Sequence, residues 1–296
     1  MNPIITRDGD IIKFQNCQKD WEINVNLLRR KIRKFSEMTF LTEQDSEKAK
    51  VFVDFYKDIV QEKDEKFVAW MFEIFKFIRT RSVRFIPPVE QKDYNIGKPS
   101  YMKHCIRQYL YKSEGRPFSF FCSTYHVRHT DENGKSIDTK DQLNEPFKFD
   151  VFVDIDSKKI EDAKNKTLKI IDFIEKEYCP IEAVIFSGKK GYHIHIYYEN
   201  LLDYFGVKKK DKYSPEEITQ VYKQIEEKIN KATNLKGFHS FRDKQIIKTP
   251  YTLHPETNLV ALPLTREQLE NFNLDLVTIE NVYKMELRDR GTVIFG

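Results

Sequence analysis

Phe149-Asp150-Val151-Phe152-Val153-Asp154-Ile155-Asp156 alternates an acidic set with a wholly apolar one. As a strand it puts Asp150, Phe152, Asp154 and Asp156 on one face and Phe149, Val151, Val153 and Ile155 on the other. The apolar face asks for cover and the acidic face for compensation, which places the strand centrally in a sheet. Downstream, Ala163, Ile170, Ile171 and Ile174 give a helical stripe from about Ile160 to Tyr178, and Ala183 to Phe186 reads as a second strand. This is a β-α-β unit. Ser187-Gly188-Lys189-Lys190-Gly191 then makes a glycine-flanked turn into a returning strand with His193 and His195 on one face.

Beyond the hairpin, Ser214 as N-cap, Pro215 in the first turn and Glu217 completing a capping box start a helix striped by Ile218, Val221, Tyr222, Ile225 and Ile229. The two helices are expected on one face of the sheet. Gln245 to Lys248 and Asn258 to Leu262 read as strands around the turn-rich segment between them. In the other direction, residues 20 to 80 read as largely helical, with Val51, Phe52, Phe55, Tyr56 and Ile59, then Phe67, Trp70, Met71, Ile74, Phe75 and Ile78, at helical spacing. Pro87-Pro88 and Gly97-Lys98-Pro99 punctuate the chain. The reading is therefore an α/β (α+β) chain: a helical N-terminal region over 1–99 and a mixed sheet with packed helices over 100–296.

Composition sets limits. Of 296 residues, 40% are hydrophobic and 14% aromatic, enough for a folded core. No apolar run approaches the roughly 18 residues of a membrane span, and the N-terminus lacks the pattern of a signal peptide, so a cytoplasmic or nucleoid-associated location is expected. Cys17, Cys105, Cys122 and Cys179 stand apart, without zinc-ligand spacing, and are expected as reduced thiols with no structural zinc. A net charge of +4 is too small to identify a polyanionic partner.

The chemistry concentrates in three places. Asp154 and Asp156 are hard oxygen donors on one strand face, suited to Mg²⁺ or Mn²⁺ with positions left for phosphates and water. The turn Ser187 to Gly191 lets backbone N–H groups approach an anion, and Lys189 and Lys190 add charge. Lys248 and His254 flank a proline-containing turn and take their weight from context.

Together, the Asp-x-Asp strand, Ser187-Gly188-Lys189-Lys190-Gly191-Tyr192-His193, and the segment from Lys248-Thr249-Pro250 to His254-Pro255-Glu256-Thr257 resemble the catalytic small subunit of archaeal and eukaryotic DNA primases, in the primase-polymerase superfamily. The order of motifs matches across residues 117 to 275. The resemblance implies an RRM-like catalytic core, with Asp154 and Asp156 as metal-binding catalytic residues. It implies nucleotide contacts from Ser187, Lys189, Lys190, His193, Lys248 and His254. The family's third aspartate falls on Asp243, the one acid between Glu227 and Glu256, nearer to Lys248 than is usual in the family. The zinc knuckle of many members has no counterpart. The implied activity is template-directed primer synthesis on single-stranded DNA from NTP or dNTP, with a primase large subunit as a further partner.

Two other classes are weighed. His193-Ile194-His195 also looks like the metal-binding pair of a tyrosine-dependent nicking endonuclease. A catalytically silent nucleic-acid-binding module is the third.

Overall fold

The structure, a computed structural model, describes residues 4–8, 11–15, 21–24, 43–86, 94–126, 148–197, 214–234, 238–240 and 246–285. Strands β1 (Ile4–Asp8), β2 (Ile11–Gln15) and β3 (Trp21–Asn24) form a small antiparallel sheet. Helix was expected from about residue 20, and Trp21–Asn24 is instead a strand paired with β2. The helices begin at α1 (Glu43–Gln61) and α2 (Glu65–Ile78), where Phe52, Phe55, Tyr56, Ile59, Phe67, Trp70, Met71, Ile74 and Ile78 fall at helical spacing and are buried, while Val51, expected with them, is 46% exposed and Phe75 is only partly buried. Asp64 caps α2, accepting from the backbone N–H groups of Lys66 and Phe67.

A nine-stranded sheet follows. Its elements are β4 (Arg81–Ile86), β5 (Tyr94–Asn95), α3 (Pro99–Lys112), β6 (Ser119–His126), β7 (Lys148–Asp156), α4 (Ile160–Glu177), β8 (Ala183–Phe186), β9 (Gly191–Tyr197), α5 (Pro215–Thr233), β10 (Phe238–Ser240), β11 (Ile246–Lys248) and β12 (Pro263–Leu264). A short helix α6 (Arg266–Glu270), a 3₁₀ turn (Leu274–Val277) and α7 (Ile279–Lys284) complete the described chain. The order is β12-β8-β9-β7-β6-β4-β5, with β10 on β7 and β11 on β6, and the described pairings are antiparallel.

Because β9 lies between β7 and β8 and is antiparallel to both, β7 and β8 run the same way. The β-α-β unit read from the sequence is therefore a split one. Including α5 and β10, the order β10-β7-β9-β8 is the β-α-β-β-α-β arrangement expected of an RRM-like core.

β6 and β7 pair only where Tyr125 and His126 meet Phe149 and Lys148. They then diverge, β10 taking residues 153–155 of β7 and β11 taking residues 121–123 of β6. This fork delivers Lys248 toward the acidic face of β7.

Val151, Val153 and Ile155 are buried on the side of β7 covered by α4 and α5, as the alternation requires. Ser214 and Glu217 form the capping box predicted for α5. On the opposite face, α1, α2 and α3 enclose an aromatic core in which Phe52, Tyr56, Phe85, Tyr109 and Phe118 pack ring to ring. The buried core runs from Phe52 to Val282.

The strand expected over 258–262 does not form. Leu253 and Val260 make a single bridge, the Leu262 carbonyl accepts from the Phe186 N–H, and the Val260 N–H donates to the Val277 carbonyl. Split among different neighbours, these backbone groups cannot build one ladder. Among the described residues no helix is long and apolar enough to cross a membrane.

Candidate active site

The register of β7 against β9 sets the site. Asp154 lies opposite His193, Phe152 opposite His195 and Asp156 opposite Gly191, so these residues share the acidic face. The Asp154 side chain is 29% exposed and that of Asp156 is 50% exposed, each with a basic neighbour: His193 Nε2 lies 3.5 Å from Asp154 Oδ1, and Lys190 Nζ 3.7 Å from Asp156 Oδ2.

The turn from β8 to β9 is closed by the Ser187 N–H donating to the Gly191 carbonyl at 2.9 Å. Gly188 adopts φ +93°, which favours glycine. A Cβ there would stand 2.7 Å from His254 Cβ, and a Cβ on Gly191 would meet the Ile155 carbonyl at 2.6 Å and the Asp156 carboxylate closer still. Both glycines are therefore the condition for bringing the Asp-x-Asp strand, the turn and the His254 loop together. Thr257 Oγ1 donates to the Gly188 carbonyl at 2.6 Å, and Lys189 is ion-paired with Glu256. The Glu256 N–H in turn donates to His254 Nδ1 at 3.3 Å.

Lys248 is buried beneath this loop, donating from Nζ to the Leu253 carbonyl at 2.6 Å with its ammonium 5.7 Å from the Phe121 ring centre. Burial lowers its pKa to about 7. Burial also lowers His193 to about 4, with Lys248 lowering it further and Asp156 opposing. His254 falls to about 4, first from burial and then from Lys248, against the opposing effect of Glu256. Both imidazoles are thus neutral near pH 7, able to donate a hydrogen bond without a charge of their own.

The structure therefore brings Asp154, Asp156, Ser187, Lys189, Lys190, His193, Lys248 and His254 to one end of the sheet. Asp243 lies outside the described residues. Asp154 and Asp156 are accessible oxygen donors of the kind a hard divalent cation takes, although among the described residues no group of three or more His, Cys, Asp or Glu side chains is placed to hold a metal ion.

Two features escaped the sequence reading. Alternation places Asp150 on the acidic face, but it is 1% exposed and ion-paired with Arg81, itself 1% exposed. His126 Nε2 stands 2.9 Å and His195 Nε2 3.2 Å from the same oxygen, Asp150 Oδ2. Burial would raise the Asp150 pKa, but Arg81, His195 and His126 together hold it well below the usual carboxylate range. The His195 ring stacks on Phe152 at 4.4 Å, so this polar cluster is a buried floor under the open site.

The second feature is what fixes the Lys248–His254 segment. Trp70 Nε1 donates to the Tyr251 carbonyl at 2.7 Å, the Leu253 N–H donates to Tyr56 Oη at 3.3 Å, and Asn258 Nδ2 donates to the Lys48 carbonyl at 2.8 Å. Helices α1 and α2 thus hold the loop, Tyr56 and Trp70 doing so from within the buried core. Apolar periodicity revealed those helices but not these single polar contacts.

No protein-family model matches the chain, and no curated protein matches it. Among solved structures it is similar to the polymerase domain from Mycobacterium tuberculosis Ligase D in complex with DNA, with TM-score 0.50 and 12% identity, covering 80% of this chain and 90% of that one. At that identity the likeness establishes a shared fold.

Proposed function

We propose that the protein is a nucleotidyltransferase of the primase-polymerase type, which extends or starts a strand on a single-stranded DNA template from NTP or dNTP. The observation that carries this reading is the convergence on one sheet face of two accessible carboxylates, a glycine-lysine turn and the buried Lys248 beside His193 and His254. A shared fold with a polymerase domain whose structure contains DNA supports it.

In this reading the 3′-hydroxyl gives its proton to solvent as its oxygen bonds to the α-phosphorus, the bond from that phosphorus to the bridging oxygen breaks, and pyrophosphate leaves. Asp154 and Asp156, with Asp243 as the third carboxylate, would hold Mg²⁺ or Mn²⁺. When bound, such an ion would supply positive charge to offset the negative charge developing on the reacting oxygens. Lys189, Lys190 and Lys248 offset the triphosphate charge, and neutral His193 and His254 orient it by hydrogen bonding. Ser187 and the two glycines let the backbone approach the phosphates. In a cell, a primase large subunit would be the partner that the sequence resemblance implies.

The nicking-endonuclease reading needs His193 and His195 side by side on a metal. Against it, His195 is 1% exposed, stacked on Phe152 and held by Asp150. The test is direct: purified chain, single-stranded template, labelled NTPs and dNTPs in parallel, and Mg²⁺ or Mn²⁺. New oligonucleotide supports transfer, a covalent protein-DNA adduct supports nicking, and no product with either metal supports a silent binding module.

A further inference from the structure

Residues 94–113, between Asp93 and Glu114, form the longest stretch of the chain without Asp or Glu, although the chain has 46 acidic residues. This stretch carries Lys98, Lys103, Arg107 and Lys112, and most of it is α3. The helix buries Met102, Cys105, Ile106, Tyr109 and Leu110 against α1, α2 and β4. The opposite stripe, Ser100, Tyr101, His104, Arg107 and Gln108, is exposed at helical spacing. Tyr101 is 42% exposed, and its ring lies nearly parallel to that of His104, 13° apart in plane with centres 6.1 Å apart. Lys103 is engaged with Glu62 at 3.0 Å, so the outward charge comes chiefly from Lys98 and Arg107.

A solvated helix face ordinarily mixes both signs of charge and keeps its aromatic rings inward. This one has a single sign and presents two stacked rings to solvent. Basic side chains that follow a phosphate backbone, beside aromatic faces on which bases stack, are the chemistry of single-strand binding. Duplex DNA keeps its bases stacked on each other and offers these rings nothing.

Taking the proposed transfer reaction as its basis, we infer that the exposed face of α3 is a docking surface for single-stranded DNA, with Tyr101 and His104 stacking on bases and Lys98 and Arg107 on phosphates. The surface lies on the side of the sheet that carries Asp154, since α3 packs on α2, whose Phe77 lies against Arg81 and His195, the partners of Asp150 on that face.

The test is fluorescence anisotropy with labelled dT20, rU20 and a dT20·dA20 duplex, at several salt concentrations, on the full chain. Tyr101→Ala should weaken dT20 binding about tenfold, and Tyr101→Trp should keep it. Arg107→Glu should weaken it and reduce the slope of log affinity against log salt by about 0.7 to 1. Unchanged affinity in both Tyr101→Ala and Arg107→Glu overturns the inference, as does tighter binding of the duplex or of rU20. The assay separates this inference from its basis. A chain that binds dT20 through Tyr101 but transfers no nucleotide leaves the surface standing and the proposed reaction refuted. One that transfers nucleotide while both variants bind dT20 normally does the opposite.

Discussion

Gly188 and His254 touch through a space that only glycine leaves open: a Cβ on residue 188, at φ +93°, would lie 2.7 Å from His254 Cβ. Two segments 66 positions apart in sequence are thereby held as one surface. Gly188→Ala should lower stability by about 1–2 kcal/mol from the positive φ alone. It should also displace His254 and weaken nucleotide binding, read by calorimetry with tripolyphosphate. A variant that melts and binds like the native chain would show that the two segments need not touch.

The buried floor makes a separate prediction. Asp150→Asn leaves the Arg81 guanidinium buried without its counter-charge, and breaking such a pair from one side destabilises by about 3–5 kcal/mol. Denaturant unfolding should show this loss at neutral pH. A change under 1 kcal/mol would mean that Arg81 finds compensation elsewhere, for instance in the Ser123 carbonyl to which Nη1 donates at 2.8 Å.

Lys248 predicts a pH dependence. Its pKa falls from 10.5 to about 7 in the folded chain through burial. Between these values the unfolded chain holds a proton that the folded chain lacks. Folding stability attributable to this group therefore falls as pH drops from about 10 toward 7 and is level below. Lys248→Met should remove that slope. A bound polyphosphate favours the protonated amine, so affinity for tripolyphosphate should weaken from pH 6 to 9 in the native chain and stay flatter in Lys248→Met. Parallel profiles for the two chains would show that Lys248 does not sense the anion.

Glu256 holds Lys189 in an exposed ion pair, a position that a triphosphate would have to win. Glu256→Gln should tighten nucleotide binding by about two- to fivefold, the range expected for an exposed pair, and Lys189→Ala should abolish that gain in the double variant. Equal affinity for Glu256→Gln and the native chain would show that Lys189 is not used.

The sequence carried the core because its elements obey short-range rules. The alternation in 149–156 has one apolar face, and the helix from Ser214 carries both its cap and its stripe, so each is readable within about ten residues. What was not readable depends on distant partners. Asp150 looks like Asp154 and Asp156 by alternation, but its burial follows from Arg81, which lies on a strand before the sequence boundary placed at residue 99. Asn258 to Leu262 has strand composition, yet its backbone is shared between Phe186, Val277 and its own turn. The use of α1 and α2 to hold the Lys248–His254 segment rests on single hydrogen bonds, from Trp70 to the Tyr251 carbonyl and from the Leu253 N–H to Tyr56, that leave no periodic trace.

The most direct measurement is nucleotide incorporation by the Asp154→Ala, Asp156→Ala double variant on single-stranded template. Both side chains are solvent-accessible, at 29% and 50%, so the variant should fold and melt like the native chain. Incorporation should fall to background with Mg²⁺ and with Mn²⁺ while the melting temperature is kept. Undiminished synthesis by a folded double variant would contradict the assignment of these carboxylates and, with it, the proposed reaction at this site.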